Sequence, residues 1–241
     1  MMKLVIFVLI LLLVIICVIV WKKMVYGNGN NILLKRSTEV YESIRLSGSF
    51  NVELVDGMVG NLTLQGEENL LKHIITEVKN GKLYLAIENG YKLVPSLKKK
   101  AIQLTIPVER INSIKILGSG NIVSKKTLRS EGFMTSITGS GNITTSLDVE
   151  TLSTNVAGSG CLNFSGKAKN FSASTAGNCN INAYDLEADD VGLDITGSGT
   201  IKVMARKKLK ARVSGYGNIH YQGNPENVDF KTNGSGRVFK E

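Results

Sequence analysis

Aromatic side chains are scarce in this 241-residue sequence, at 6%, and it holds only two histidines and three cysteines. So few aromatics suit a thin core of stacked aliphatics better than the core of a globular α/β enzyme. The histidines, His73 and His220, stand far apart in the chain. His73 falls in an expected helical turn, and His220 follows an inward position and so faces out. Both therefore read as solvated surface residues and not as general bases. No Gly-x-Ser-x-Gly elbow and no phosphate loop ending in Gly-Lys-Ser/Thr occurs. The net charge of +9 comes from runs such as Lys98-Lys99-Lys100, Lys125-Lys126 and Arg206-Lys207-Lys208 with Lys210. These lack the interleaved aromatics of a nucleic-acid module, so no nucleic-acid partner is expected. A chain of this length can bury a sufficient core without disulfides.

Glycine, in contrast, is abundant and periodic. The signature Gly118-Ser119-Gly120-Asn121-Ile122 returns as Gly139-Ser140-Gly141-Asn142-Ile143 and Gly158-Ser159-Gly160-Cys161-Leu162. It continues as the degenerate Gly177-Asn178-Cys179-Asn180-Ile181, then Gly197-Ser198-Gly199-Thr200-Ile201, Gly215-Tyr216-Gly217-Asn218-Ile219 and Gly234-Ser235-Gly236-Arg237-Val238. The leading glycines are 21, 19, 19, 20, 18 and 19 residues apart. A fixed period near this length marks a solenoid of stacked units.

Positions at even distance from each leading glycine are apolar or β-branched. Six residues before stand Phe133, Leu152, Phe171, Val191, Leu209 and Val228. Two before stand Ile116, Ile137, Val156, Thr175, Ile195, Val213 and Thr232, and four after come Ile122, Ile143, Leu162, Ile181, Ile201, Ile219 and Val238. Side chains alternate across a strand, so these columns face one interior. No helical spacing of three and four is present. The expected fold is all-β, a right-handed parallel β-helix with one coil per repeat. Its Gly-x-Gly turns, Gly160 included, are expected at positive φ and at close approach between coils.

Residues 4–21 form an uncharged apolar run between Lys3 and Lys22-Lys23, near the ~20 residues that span a bilayer. It reads as an uncleaved membrane anchor, making the membrane a partner through this segment. The flanking Lys22, Lys23, Lys35 and Arg36 favour a cytoplasmic C-terminal side by the positive-inside rule. Residues 22–36 read as a flexible tether, and residues 37–241 as the β domain. Within it, Gly48-Ser49-Phe50-Asn51 resembles a degenerate first copy of the repeat. Asn80-Gly81 is a hairpin signal, Glu67 to Ile74 a short helical turn, and Gly90 to Lys100 a basic loop.

The strand signals around Ser47-Gly48-Ser49-Phe50-Asn51-Val52-Glu53-Leu54, Thr76-Glu77-Val78-Lys79-Asn80-Gly81-Lys82-Leu83 and Leu104-Thr105-Ile106-Pro107, followed by iterated Gly-Ser-Gly-Asn-Ile turns, resemble the putative auto-transporter adhesin head domain, or GIN domain. The likeness covers roughly residues 37 to 240. It implies a right-handed β-helix in a bacterial, usually exported protein, which opposes the positive-inside reading, and it supplies no catalytic residues. Cys161, Cys179, Thr200 and Arg237 depart from the turn pattern.

The residues that could carry chemistry are few. Asp185, Glu187, Asp189, Asp190 and Asp194 have the right oxygen ligands for calcium but lack its nonapeptide pattern, so they read as a solvated loop. Cys161 and Cys179 sit one residue out of step in adjacent coils, which points them to opposite sides of the wall and leaves both free. Asn121, Asn142, Asn180 and Asn218 are candidate binding residues on the outer face. The basic runs are candidates for anionic headgroups or acidic polysaccharide. No cofactor is implied. A non-catalytic, adhesin-like envelope module binding a surface glycan or protein is expected. A polysaccharide-active β-helix enzyme and a scaffold subunit are the alternatives, but the outward turn column offers no acid.

Overall fold

The computed structural model describes residues 22–96 and 101–241. The expected anchor 4–21 and the run Lys98-Lys99-Lys100 lie outside the described residues. Among those described, no helix is long and apolar enough to cross a membrane. Among the described residues the architecture is a β-solenoid of about seven turns with one short helix.

Five long strands make the middle of the stack: β11 (Asn121–Gly139), β12 (Asn142–Gly158), β13 (Cys161–Gly177), β14 (Asn180–Gly197) and β15 (Thr200–Gly215). Each pairs parallel with the next in the register that the repeat dictates, Ile122 on Ile143 and Gly139 on Gly158. Burial alternates along each strand, because every second side chain enters the interior. The alternation breaks at Glu150-Thr151 in β12 and at Lys169-Asn170 in β13, where two exposed residues in succession turn a corner. The three predicted inward columns are buried from Ile122 through Ile219. In the last coil they emerge: Val228 and Thr232 are exposed and Val238 is half-buried, since no further coil covers them among the described residues.

The N-terminal end is closed. β3 (Ser43–Ser47) and β4 (Asn51–Val55) pair with β10 (Ser113–Gly118) and β11, so the Gly48 copy lies directly against the Gly118 coil, as its resemblance to the repeat implies. Beyond it lie β7 (Lys82–Ile87) and β9 (Gln103–Pro107), again parallel. Antiparallel strands then end the stack. β6 (Ile74–Lys79) turns into β7 through Asn80-Gly81, whose φ values are 51° and 68°. β5 (Asn61–Glu67) pairs antiparallel with both β9 and β2 (Asn31–Ser37), and helix α1 (Glu68–Leu71) follows β5.

Two expectations are corrected here. Residues 22–36 are not a free tether: β1 (Lys23–Tyr26) pairs with β8 (Tyr91–Val94), and β2 with β5. The turn between β1 and β2 is held by buried Glu67, whose carboxylate accepts from Gly29 N at 2.6 Å and Ser96 N at 2.8 Å. Likewise the segment from Gly90 is not all loop, because β8 lies within it. At the far end, β16 (Asn218–Gln222) pairs with β15, and β17 (Asn227–Gly234) and β18 (Arg237–Lys240) form the last coil on β15 and β16.

Candidate functional site

The turn signature has two glycine columns with different tasks. The leading glycines Gly118, Gly139, Gly158, Gly197, Gly215 and Gly234, with Gly177, hold φ between +118° and +134°. A Cβ on Gly158 would also stand 2.1 Å from Gly139 O. The second glycines, Gly120, Gly141, Gly160, Gly199, Gly217 and Gly236, are not at positive φ, which corrects the expectation for Gly160. They are small because of crowding: a Cβ on Gly160 would lie 2.7 Å from Gly141 O. Cys179 occupies this second column in the fourth copy and is fully buried, whereas Cys161 is half-exposed, and both are free. Burial, reinforced by the neighbouring Cys161, pushes the Cys179 thiol up to about 12.

The turn asparagines are committed to the stack. Asn121 Nδ2 donates to Asn51 Oδ1 at 2.9 Å, and Asn142 Nδ2 to Asn121 Oδ1 at 2.7 Å. Beyond them the carbonyls of Asn142, Asn180 and Asn218 accept from the backbone of Cys161, Thr200 and Arg237 at 3.1–3.2 Å. These polar atoms tie one coil to the next, which is a structural use.

The expected charge clusters also resolve into rungs. Lys125 pairs with Glu53 at 3.6 Å and Lys126 with Asp56. Arg206 pairs with Glu187 at 3.1 Å and Lys207 with Asp189 at 2.7 Å, so the acidic and basic runs of adjacent coils meet each other. Among the described residues no group of three His, Cys, Asp or Glu could hold a metal ion. His73 bonds Glu88 and stacks on Tyr91, and His220 bonds Glu241 and stacks on Phe239. Glu241 also accepts from Tyr184 Oη at 2.7 Å, and that bond, followed by the one to His220, holds its carboxyl below the usual range.

What the repeat hides is a trough. At the corner where burial alternation breaks, depressions of about 470, 440, 190 and 670 Å³ follow one another across the coils. Adjacent ones share Asn112 and Gly132, then Ser153, then Ser172, Gly192 and Lys210. The trough runs from Ser113 to Asp229, six rungs or roughly 29 Å. In the middle coils its outward lining is mostly small and polar (Thr151, Ser153, Asn170, Ser172, Asn155, Ser174), with the exposed Met134 beside them, and the first depression also carries Glu42, Arg110, Arg129 and Glu131. Phe133 and Phe171 beneath it point inward and are buried. Towards the last coils the lining becomes charged in register, with Asp190 beside Lys208, Asp194 beside Arg212 and Lys210 beside Asp229. One carboxylate oxygen of Asp190 is buried without a hydrogen-bond partner. Asp190 and Asp194 share a strand at a separation of roughly 13 Å, beyond the ~5–10 Å of paired glycosidase carboxylates.

A family model described as "putative auto-transporter adhesin, head GIN domain" matches residues 40–225. No curated protein matches the chain. Solved structures similar to it include a putative adhesin from Bacteroides fragilis, 24% identical, covering 90% of this chain and 100% of that one at a TM-score of 0.82. A putative lipid binding protein from Parabacteroides distasonis is 26% identical, covering 91% and 100% at 0.75. A putative adhesin from Parabacteroides merdae is 20% identical, covering 90% and 99% at 0.71.

Proposed function

Because the chain belongs to the putative auto-transporter adhesin head GIN domain family, we propose that it is a non-catalytic, adhesin-like module of the cell envelope that holds an extended polymer along its trough. The observation that carries this reading is the trough itself, continuous over several coils and lined by hydrogen-bonding side chains. A hydroxyl-rich chain such as a polysaccharide fits a long, shallow, polar surface. Its hydroxyls can satisfy Ser, Asn and Asp groups along the rungs, and the alternating charges suit a neutral or zwitterionic chain better than a strongly acidic one. The neighbour named as a lipid binding protein raises a second class of ligand; Phe133, Phe171, Val191 and Leu209 under the trough face inward, and only Met134 and Val228 of its lining offer exposed apolar surface. The apolar run 4–21 would hold the module at the membrane, with the β domain on the extracytoplasmic side. No observation favours the polysaccharide-active enzyme.

Two glycines allow a direct test. Cβ atoms on Gly132 and Gly192 would meet nothing within 4 Å, and neither residue is at positive φ. Gly192→Trp and Gly132→Trp should therefore fold normally while obstructing the trough. A glycan array with residues 22–241, followed by calorimetry on any hit, is expected to show binding that both variants reduce at least tenfold. Binding unchanged in both would place the ligand elsewhere. Digestion of the domain by protease added to intact cells checks the orientation; protection would put it in the cytoplasm.

A further inference from the structure

The last coil is open in a way that the first is not. β17 pairs with β15 along one edge, and all eight of its residues are exposed. Val228 and Phe230, which occupy inward columns, are 40% and 56% exposed. The direction of its free backbone groups follows from the hydrogen bonds of the stack. Residues an odd number of places from the leading glycine donate backwards: Ser140 N to Gly118 O at 3.0 Å, Asn142 N to Gly120 O at 3.0 Å, and Ser235 N to Gly215 O at 2.9 Å, an acceptor that the turn residue Gly236 N shares at 2.9 Å. The N–H and C=O of one strand residue share a side, and the side alternates along the strand. The even positions of the last coil, Val228, Phe230 and Thr232, therefore point both groups away from β15, where no strand lies among the described residues. A free edge of this kind is a template for another strand.

We propose that the strand it accepts is the same edge of a second copy of this chain, paired antiparallel about a twofold axis through Phe230. In that register Phe230 faces Phe230, Val228 faces Thr232, and Asp229 faces Lys231 of the second copy. The free backbone groups of Val228, Phe230 and Thr232 all fall in the pairs that exchange hydrogen bonds, so this stretch of the edge is satisfied. Asp229 and Lys231 fall in the intervening, closer pairs, where opposite charges stabilise and like charges destabilise. Charge selects this axis. Centring the pair on Val228 would oppose Asp229 to Asn227, and centring it on Thr232 would oppose Asp229 to Ser235. The contact also brings Phe230 and Val228 of the two copies together at the open interior. Because the same patch is used on both sides, the association closes as an end-to-end dimer. Growth into a fibre would need a second kind of contact at the N-terminal end, where β6 and β2 are outermost and each pairs on one side only, and the twofold contact leaves no β17 edge free to meet them.

Sedimentation equilibrium of the full chain in a mild non-ionic detergent tests this. The chain should dimerise reversibly. Asp229→Lys or Lys231→Asp alone should weaken the dimer about tenfold or more, since each turns two attractive cross-strand pairs into repulsive ones. The double variant Asp229→Lys/Lys231→Asp should restore it. A chain that stays monomeric overturns the proposal, as does a dimer that neither single reversal weakens, such as one held by residues 4–21. Failure of the double variant to recover overturns the Phe230 register.

Discussion

Thr175 is the one polar residue in a buried column otherwise made of Ile116, Ile137, Val156, Ile195 and Val213. Its hydroxyl has no hydrogen-bond partner, whereas the equally buried Thr135 and Thr154 bond each other at 3.0 Å. An unsatisfied buried hydroxyl costs about 1–3 kcal/mol. Thr175→Val should therefore stabilise the protein by ~1 kcal/mol and raise Tm by about 2–4 °C. Thr135→Val, which strands Thr154, should lower Tm in the same calorimetric experiment. Cys179 adds a dependence on pH. Its thiol titrates near 9.0 ordinarily and at about 12 in the fold. A group whose folded value is raised favours the fold while protonated. Its contribution is complete below about pH 9 and is lost as the pH climbs towards 12. Urea melts across that window should show wild-type stability falling more steeply than that of Cys179→Gly, and parallel slopes would mean that the thiol is solvated. Iodoacetamide should correspondingly reach Cys161 in the native protein and spare Cys179 until it unfolds.

At the scale of elements, position in the stack should decide the cost of a lesion. Gly158 lies in the middle, at φ +134°, and a side chain there would collide with Gly139 O. Gly234 holds nearly the same conformation, at φ +118°, and a side chain there would likewise meet Gly215 O, but it belongs to the exposed last coil. Gly158→Val should abolish cooperative folding, while Gly234→Val frays β17 and β18 and leaves the remaining coils intact. Limited proteolysis with mass mapping distinguishes a chain cut throughout from one trimmed only near its end. The strands of the stack were legible in the sequence because identical physical demands recur every coil: a left-handed turn, a crowded second glycine, and aliphatic columns at even spacing. β2 was not, since Arg36 stands at one of its inward positions. There its guanidinium donates to the carbonyl oxygens of Leu71, at 2.8 Å, and Ile74, so a charge conceals the strand's alternation. The trough was hidden for another reason. Its middle residues are small and carry no chemical signature, its charged ones read as separate acidic and basic runs, and all become neighbours only when residues a full repeat apart stack. The turn asparagines drew attention through their regularity, and that regularity reflects their bonds between coils.

For the whole molecule, closure at one end and an open coil at the other imply a gradient of local stability. Amide exchange should be slowest in β12 to β14, which have a coil on both sides, and fastest in β17 and β18. The amides of Val228, Phe230 and Thr232 should become protected as protein concentration rises, if the last edge is shared between two copies. Uniform exchange along the chain would indicate a single cooperative core in place of nearest-neighbour coupling.

The one-to-one register of the long strands also bears on how such proteins change over generations. Apart from Thr175 and Cys179, each coil from the second on presents to its successor the same three apolar columns and the same paired glycines that it receives from its predecessor. Duplication or loss of a single unit near the C-terminal end would therefore leave the closing strands at the other end untouched and every remaining contact in kind. Such an event would change the reach of the molecule by one rung, ~4.8 Å, without a second compensating mutation. Length in this lineage is a heritable quantity that can drift in whole steps while the fold stays the same.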